Sequence, residues 1–212
     1  MNQGIARTLA AIFAVLAFGL LAIGGVTRGF AAVTADGVRR IDLERAPRTL
    51  PALSMIDQAG KTLSLADYGS ASGYTTFVTL VYTSCDTICR TSASGLAFLQ
   101  QEIRSRGLED RVRLLTLSFD PFYDTPAVMA KYARGLGADA SLWRTATVAG
   151  ASDLESMLGL FDIVVIPDGL GGYSHNAALF RIDEQGKLAK AYDVDRPDLA
   201  LADYLYNRKA EQ

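Results

Sequence analysis

Two cysteines and a single histidine are all the thiol and imidazole chemistry that 212 residues hold. Two cysteines are too few to staple a scaffold, and with half of the residues apolar a sizeable core needs no such staple. Proline is sparse at six, no low-complexity tract occurs, and no repeat recurs at a period of 20 to 50 residues. Charge of one sign is also lacking. The 21 Lys and Arg nearly balance the 23 Asp and Glu, and no long basic block exists. Nucleic-acid binding, which depends on clustered cations, is unsupported, so no nucleic acid is expected among the partners.

What is present begins with a charge-free stretch from Thr8 to Thr27, bounded by Arg7 and Arg28. Twenty helical residues span ~30 Å, the thickness of a bilayer's hydrocarbon core, and this run has no polar face. A spanning helix and a signal-peptide core both fit. Signal h-regions usually run only ~7–15 residues, which favours a retained anchor, although Val33-Thr34-Ala35 is small enough for a cleavage site. The flanking arginines give no clear vote on orientation. An N-terminal first span exports the domain behind it, so the expected location is the cell inner membrane, single-pass, with the soluble domain facing the periplasm. The expected division is a membrane anchor over 1–28, a tether over 29–47 and one soluble domain over 48–212.

Leu50 to Leu65 reads as a β-hairpin turning at Gln58–Lys61. Tyr74–Thr83 is too continuously apolar for a surface strand and predicts a central one. Ala93, Leu96, Leu99 and Ile103 repeat at helical steps up to Gly107. Val112–Phe119 predicts a second buried strand, and Thr125-Pro126 opens a helix as N-cap and first helical residue. Beyond it come a strand near Trp143–Val148, a helix from Ser152 to Leu160, and strands at Phe161–Ile166, Asn176–Asp183 and Lys187–Asp193. A closing helix over Pro197–Asn207 completes the chain. Strands alternating with helices predict an α/β domain: a thioredoxin-like fold with a mixed central sheet flanked by helices, preceded by one N-terminal transmembrane helix.

Both cysteines lie in Ser84-Cys85-Asp86-Thr87-Ile88-Cys89-Arg90, where a buried strand hands over to a helix. Four-residue spacing across a first helical turn brings both sulfurs to one side. The helix N-terminus favours thiolate over thiol. Such a pair suits Cu(I), Zn(II) or reversible disulfide formation, with a structural disulfide or two buried thiols as the plain alternatives. The histidine, His175, stands in the glycine-rich Gly171–Asn176 segment just before a strand. In a thioredoxin-like sheet that loop approaches the cysteine-bearing turn. Two thiolates and an imidazole make a three-coordinate site for Cu(I), and an added oxygen would serve Cu(II).

The chain resembles the SCO/SenC family of copper-binding assembly factors for cytochrome c oxidase. Cys85 and Cys89 match its C-x3-C, and Ser118-Phe119-Asp120-Pro121 with Asp124-Thr125-Pro126 matches its SxDPxxDTP segment. His175 matches its metal-binding histidine. The likeness runs from about Leu50 to Asn207, and an N-terminal anchor is usual there. The resemblance implies copper as the metal, an upstream copper donor, and delivery to the binuclear centre of cytochrome c oxidase subunit II. Asp86 and Arg90 stand where the family commonly has prolines, loosening the loop and adding charge. Asp120 is a candidate for a place behind the metal ligands or a mere strand end. Asp124 reads as a helix-start residue. Tyr82, Phe122 and Tyr123 are candidates for an apolar rim, with Tyr82 better suited to core.

The leading expectation is therefore a copper chaperone rather than an enzyme. The alternative is a membrane-tethered thiol–disulfide oxidoreductase, with Cys85 and Cys89 as its redox residues, that keeps the acceptor's cysteines reduced. Reductases of this fold carry a cis-proline before the penultimate strand. Here Ser174-His175-Asn176 stands there and the nearest upstream proline is Pro167, which favours metal. Copper sensing would use the same ligands. A peroxidase lacks its Pro-x3-Thr-x2-Cys arrangement.

Overall fold

The computed structural model describes residues 3–69, 73–85, 88–169 and 171–210, with the backbone alone at 88–90, 209 and 210. The charge-poor N-terminal run folds as one helix, α1 (Gln3–Val26), 24 residues with no buried side chain. At 1.5 Å per residue it is ~36 Å long, so it is a candidate membrane span. The stretch read as a tether carries a second helix, α2 (Ala35–Arg45). Its start is set by Thr34, whose hydroxyl accepts the Gly37 N–H at 3.0 Å, with Asp36 complementing the positive helix end. Arg28 donates two bonds of 2.6 Å to Asp42 on this helix. These elements belong to one compact unit, Met1–Arg45, and Ala46–Gln212 form another.

Among the described residues the second unit holds ten strands. β1 (Arg48–Thr49), β2 (Ser54–Asp57) and β3 (Thr62–Ser64) lead into a 3-10 turn at Leu65–Tyr68. The β2–β3 hairpin turns where the sequence indicated, with Asp57 Oδ1 accepting the Ala59 and Lys61 N–H groups at 2.9 Å. Next come β4 (Thr75–Val81), α3 (Ile88–Ser105), β5 (Val112–Ser118), α4 (Pro126–Gly135) and β6 (Trp143–Val148). After them follow α5 (Ala151–Phe161), β7 (Val165–Pro167), β8 (Tyr173–His175), β9 (Leu179–Ile182), β10 (Lys187–Tyr192) and α6 (Pro197–Ala210).

Eight strands form one sheet in the order β1-β10-β9-β4-β5-β6-β2-β3. β4, β5 and β6 are parallel and every other pairing is antiparallel. This mixed sheet with helices on both faces is a thioredoxin-like fold. All seven residues of β4 are buried, as a central strand requires. Two successive crossovers in one direction place α3 and α4 on the same face. There Phe77, Leu96, Leu99, Ile103 and Trp143 pack with Leu201 of α6. On the other face Phe180 meets Phe161 of α5, their rings 4.9 Å apart.

Two sequence boundaries shift. Phe161 ends α5 instead of starting a strand, because Asp162 adopts the left-handed conformation (φ 50°) and its N–H closes back on the helix. The strand there shrinks to β7, which pairs with β8 in a separate two-stranded ribbon. The strand expected from Asn176 begins only at Leu179.

Candidate metal centre

The C-terminal ends of β4 and β5 and the β7–β8 ribbon supply the candidate residues. β4 ends at Val81, and the chain turns at once, the Cys85 N–H donating to the Tyr82 carbonyl at 3.2 Å. The turn puts Cys85 just ahead of α3 with only 9% of its surface exposed. Cys89 is in the first turn of α3, and its side chain lies outside the described residues. α3 starts at Ile88, three residues after Cys85, and a helix N-terminus favours thiolate.

His175 closes β8 and enters a cluster of rings. Its imidazole centroid is 4.9 Å from Phe119 and 5.9 Å from Tyr82, both edge-on. Tyr173 completes the cluster, 5.2 Å from Tyr82 and 5.9 Å from Phe119. Tyr82 also ties the two segments by hydrogen bonds. Its hydroxyl donates to the Tyr173 carbonyl and accepts the Tyr173 N–H, each at 3.3 Å. Tyr82 thus joins the turn that carries Cys85 to the strand that carries His175. The ribbon's own turn is tight: Asp168 Oδ1 accepts the Gly172 N–H at 2.9 Å. A Cβ at Gly172 would fall 2.7 Å from Asp168 Oδ2 and 3.2 Å from the Tyr82 hydroxyl, so a side chain there would displace one or both groups.

The imidazole is held in one tautomer. Nδ1 lies 2.9 Å from the Asn176 carbonyl, which only accepts, so Nδ1 carries the proton and Nε2 the lone pair. Burial lowers the His175 pKa, the bond to Asn176 partly offsetting it. A neutral imidazole with Nε2 as donor atom is the form a metal ligand needs. Asn176 is itself pinned: its amide donates to the Asp162 carbonyl and its side-chain oxygen accepts the Val164 N–H, at 2.9 and 2.8 Å.

Asp120 and Asp124 divide their roles differently from the sequence expectation. Thr125 caps α4 as expected, whereas Asp124 is more than a helix-start residue. Asp124 is fully buried and accepts three bonds: from the Thr83 N–H at 3.0 Å, from the Thr83 hydroxyl and from the Ser118 hydroxyl. It fastens the turn before Cys85 to the end of β5. Asp120 is half-buried, and burial, reinforced by the Asp124 charge, pushes its carboxyl up. Its backbone N–H donates to Ser118 Oγ at 3.0 Å. Phe122 is 89% exposed and Tyr123 is exposed as well, whereas Tyr82 is buried. Phe119 and Tyr173, which seat the histidine, carry no signal in the sequence beyond aromaticity.

A thioredoxin-like domain with a cysteine turn and a histidine ribbon joined through Tyr82 is the class that fold and site define. The family model described as SCO1/SenC matches residues 42–208, and the chain belongs to the SCO1/SenC family. The SCO1 protein homolog of Bacillus subtilis is 26% identical over 139 residues, 65% of this chain and 69% of that protein. Among solved structures, a SCO1/SenC family lipoprotein from Bacillus anthracis superposes with a TM-score of 0.64 at 24% identity. It covers 75% of this chain and 95% of its own. Copper-bound ScoI from Arabidopsis thaliana gives 0.62 at 18% identity, covering 73% and 96%. The structural likenesses bear on the fold.

Proposed function

We propose that this chain is a copper chaperone that binds one copper through Cys85, Cys89 and His175 and passes it to the binuclear centre of cytochrome c oxidase subunit II. An upstream donor loads it. Residues 1–28 anchor it in the inner membrane, and the domain from residue 48 onward faces the periplasm. The observation that carries the reading is the tautomer and seating of His175: Nδ1 is committed to the Asn176 carbonyl, and Tyr82 links the ring to the Cys85 turn. A reductase needs the thiols but not an oriented imidazole. Support also comes from relatives of the same fold solved with copper bound, ScoI from Arabidopsis thaliana and from Bradyrhizobium japonicum. Another, from a study of a disulfide switch, is described as a member of a family of cytochrome c oxidase assembly proteins.

Soft thiolates with one imidazole suit Cu(I), and an added oxygen accommodates Cu(II). Copper is the cargo, and handover proceeds by ligand exchange: one acceptor thiolate replaces one of the three donors at a time. Asp120, beside Asp124 and Ser118, acts behind the ligands rather than as one of them.

The test is copper retention. The full chain in detergent is reduced, loaded anaerobically with Cu(I) and challenged with a chelator of known affinity, wild type beside His175→Ala. One retained copper per chain, with retention at least about tenfold weaker in the variant, is expected. Retention indifferent to His175 would overturn the chaperone site and leave the thiol–disulfide oxidoreductase, acting through Cys85 and Cys89 on the acceptor's cysteines.

A further inference from the structure

At the other end of the parallel strands, by the N-termini of β5 and β6, lies a cavity of about 330 Å³. A seven-residue strand separates the two ends by ~20 Å, so this cavity is distinct from the cysteine turn. Two guanidinium groups, Arg113 and Arg144, line it. The register sets Arg144 beside Leu115, two residues on from Arg113, so both side chains leave the same face of the sheet. The other walls include Tyr68, Tyr74 and Leu142.

Two guanidinium groups and one carboxylate line the cavity, and Arg144 is engaged by Asp57 and by the Tyr68 hydroxyl. The Arg113 guanidinium donates to the Glu109 and Val112 carbonyls and lies 3.9 Å over the Tyr74 ring. Among the described residues it makes no ion pair. Arg144 stands 3.8 Å from Asp57 Oδ2, too far for a good hydrogen bond, while Asp57 Oδ1 serves the Ala59 and Lys61 N–H groups. Asp67 is the one carboxylate lining the cavity among the described residues, and its Oδ2 accepts the Ser64 N–H at 2.8 Å. Two forked cations with planar donor geometry, set in a concave site with aromatic walls, match an oxyanion carried on a flat apolar body.

We propose that this cavity binds a small organic anion, its phosphate or carboxylate group held by Arg113 and Arg144 and its planar body against Tyr68 and Tyr74. The Tyr74 ring beneath Arg113 shields one side of the guanidinium from water. The cavity is larger than a bare oxyanion needs. It leaves room for a ring-sized body.

Calorimetric titration of the full chain in detergent, using phenyl phosphate, benzoate, inorganic phosphate and benzyl alcohol as probes, tests this. Phenyl phosphate or benzoate is expected to bind roughly tenfold or more tightly than either inorganic phosphate or benzyl alcohol, and Arg113→Gln or Arg144→Gln to weaken it by a similar factor. A preference of phenyl phosphate over benzoate identifies a phosphate ester as the ligand class, and the reverse a carboxylate. Binding of inorganic phosphate as tightly as of either aromatic anion would overturn the proposal, as would affinity unchanged in both variants or no binding at all. Backbone amide shifts of the wild type on titration give a check that needs no variant: shifts confined to residues outside the cavity would also overturn it. Copper plays no part in any of these readouts, so they stand apart from the chaperone reading.

Discussion

Replacing Asp124 with alanine would leave the Thr83 amide and the Thr83 and Ser118 hydroxyls without their acceptor in a site closed to water. Stranding buried donors of a carboxylate costs about 2–4 kcal/mol. For a chain of this length that lowers Tm by roughly 10 °C. Asparagine keeps the shape: its amide oxygen accepts from the Thr83 N–H and Ser118, and its amide nitrogen donates to the Thr83 hydroxyl. Asp124→Asn should therefore cost only about 1 kcal/mol, the loss of charge assistance. Calorimetric melting of both variants checks the contrast, and equal Tm for Asp124→Ala and wild type would dismiss the clamp. Because Thr83 lies two residues before Cys85, the alanine variant should also lose copper to a chelator faster than the asparagine one. The family segment includes Asp124, but nothing local gave it this role. Beside Thr125-Pro126 it reads as part of a helix start, and its three donors come from two separate strand ends that only the folded sheet brings together. Cys85 and His175, in contrast, stand out in the sequence as candidates because so few residues of their kind compete with them.

At the scale of elements, β9, β10 and α6 are locked by one carboxylate. Asp203 of α6 accepts from Arg181 at 2.9 Å, Lys190 at 2.8 Å and the Tyr192 hydroxyl at 2.6 Å. Burial alone would raise its pKa, but the Lys190 and Tyr192 bonds and the Arg181 charge outweigh it and hold the carboxyl below its ordinary range. A carboxyl depressed in the folded state contributes stability above its unfolded pKa and loses it as pH falls through the folded value. Asp203→Asn should thus destabilise by about 1–3 kcal/mol at neutral pH. The gap to wild type should close in acid, below the ordinary carboxylate range. Urea midpoints at the two pH values measure it, and a gap independent of pH would refute the linkage. Periodicity read most of these elements correctly, since β4 and β5 are buried on both faces and α3 has a clear apolar stripe. It failed near Phe161, where one apolar residue serves either a helix end or a strand start. There the left-handed Asp162, whose carboxylate pairs with Arg48 at 2.5 Å, settles the matter through a partner more than a hundred residues away.

For the whole molecule the decisive element is α1, which was legible because twenty residues without charge have no other stable use in water. Helix α2 was not, since its mixed charge with Gly29, Gly37 and Pro47 resembles a linker, and its Thr34 cap and the Arg28–Asp42 pair become visible only once folded. All 24 residues of α1 lack burial, so in water the helix would expose a continuous apolar surface. A spanning helix removes that cost, and its insertion is effectively irreversible. The full chain should therefore stay with membranes through alkaline carbonate washing, and deletion of residues 1–28 should release it to the soluble fraction. Intact mass of the membrane-extracted protein separates the two uses of the helix. Retention of residues 1–28 marks an anchor, while a mature chain beginning after Ala35 marks a cleaved signal. Cleavage there would cut the chain at the very start of α2 and remove Thr34, whose hydroxyl holds that helix's first turn. A mature chain cut there should therefore begin with a frayed first turn of α2, whereas an uncut chain keeps the Thr34 cap.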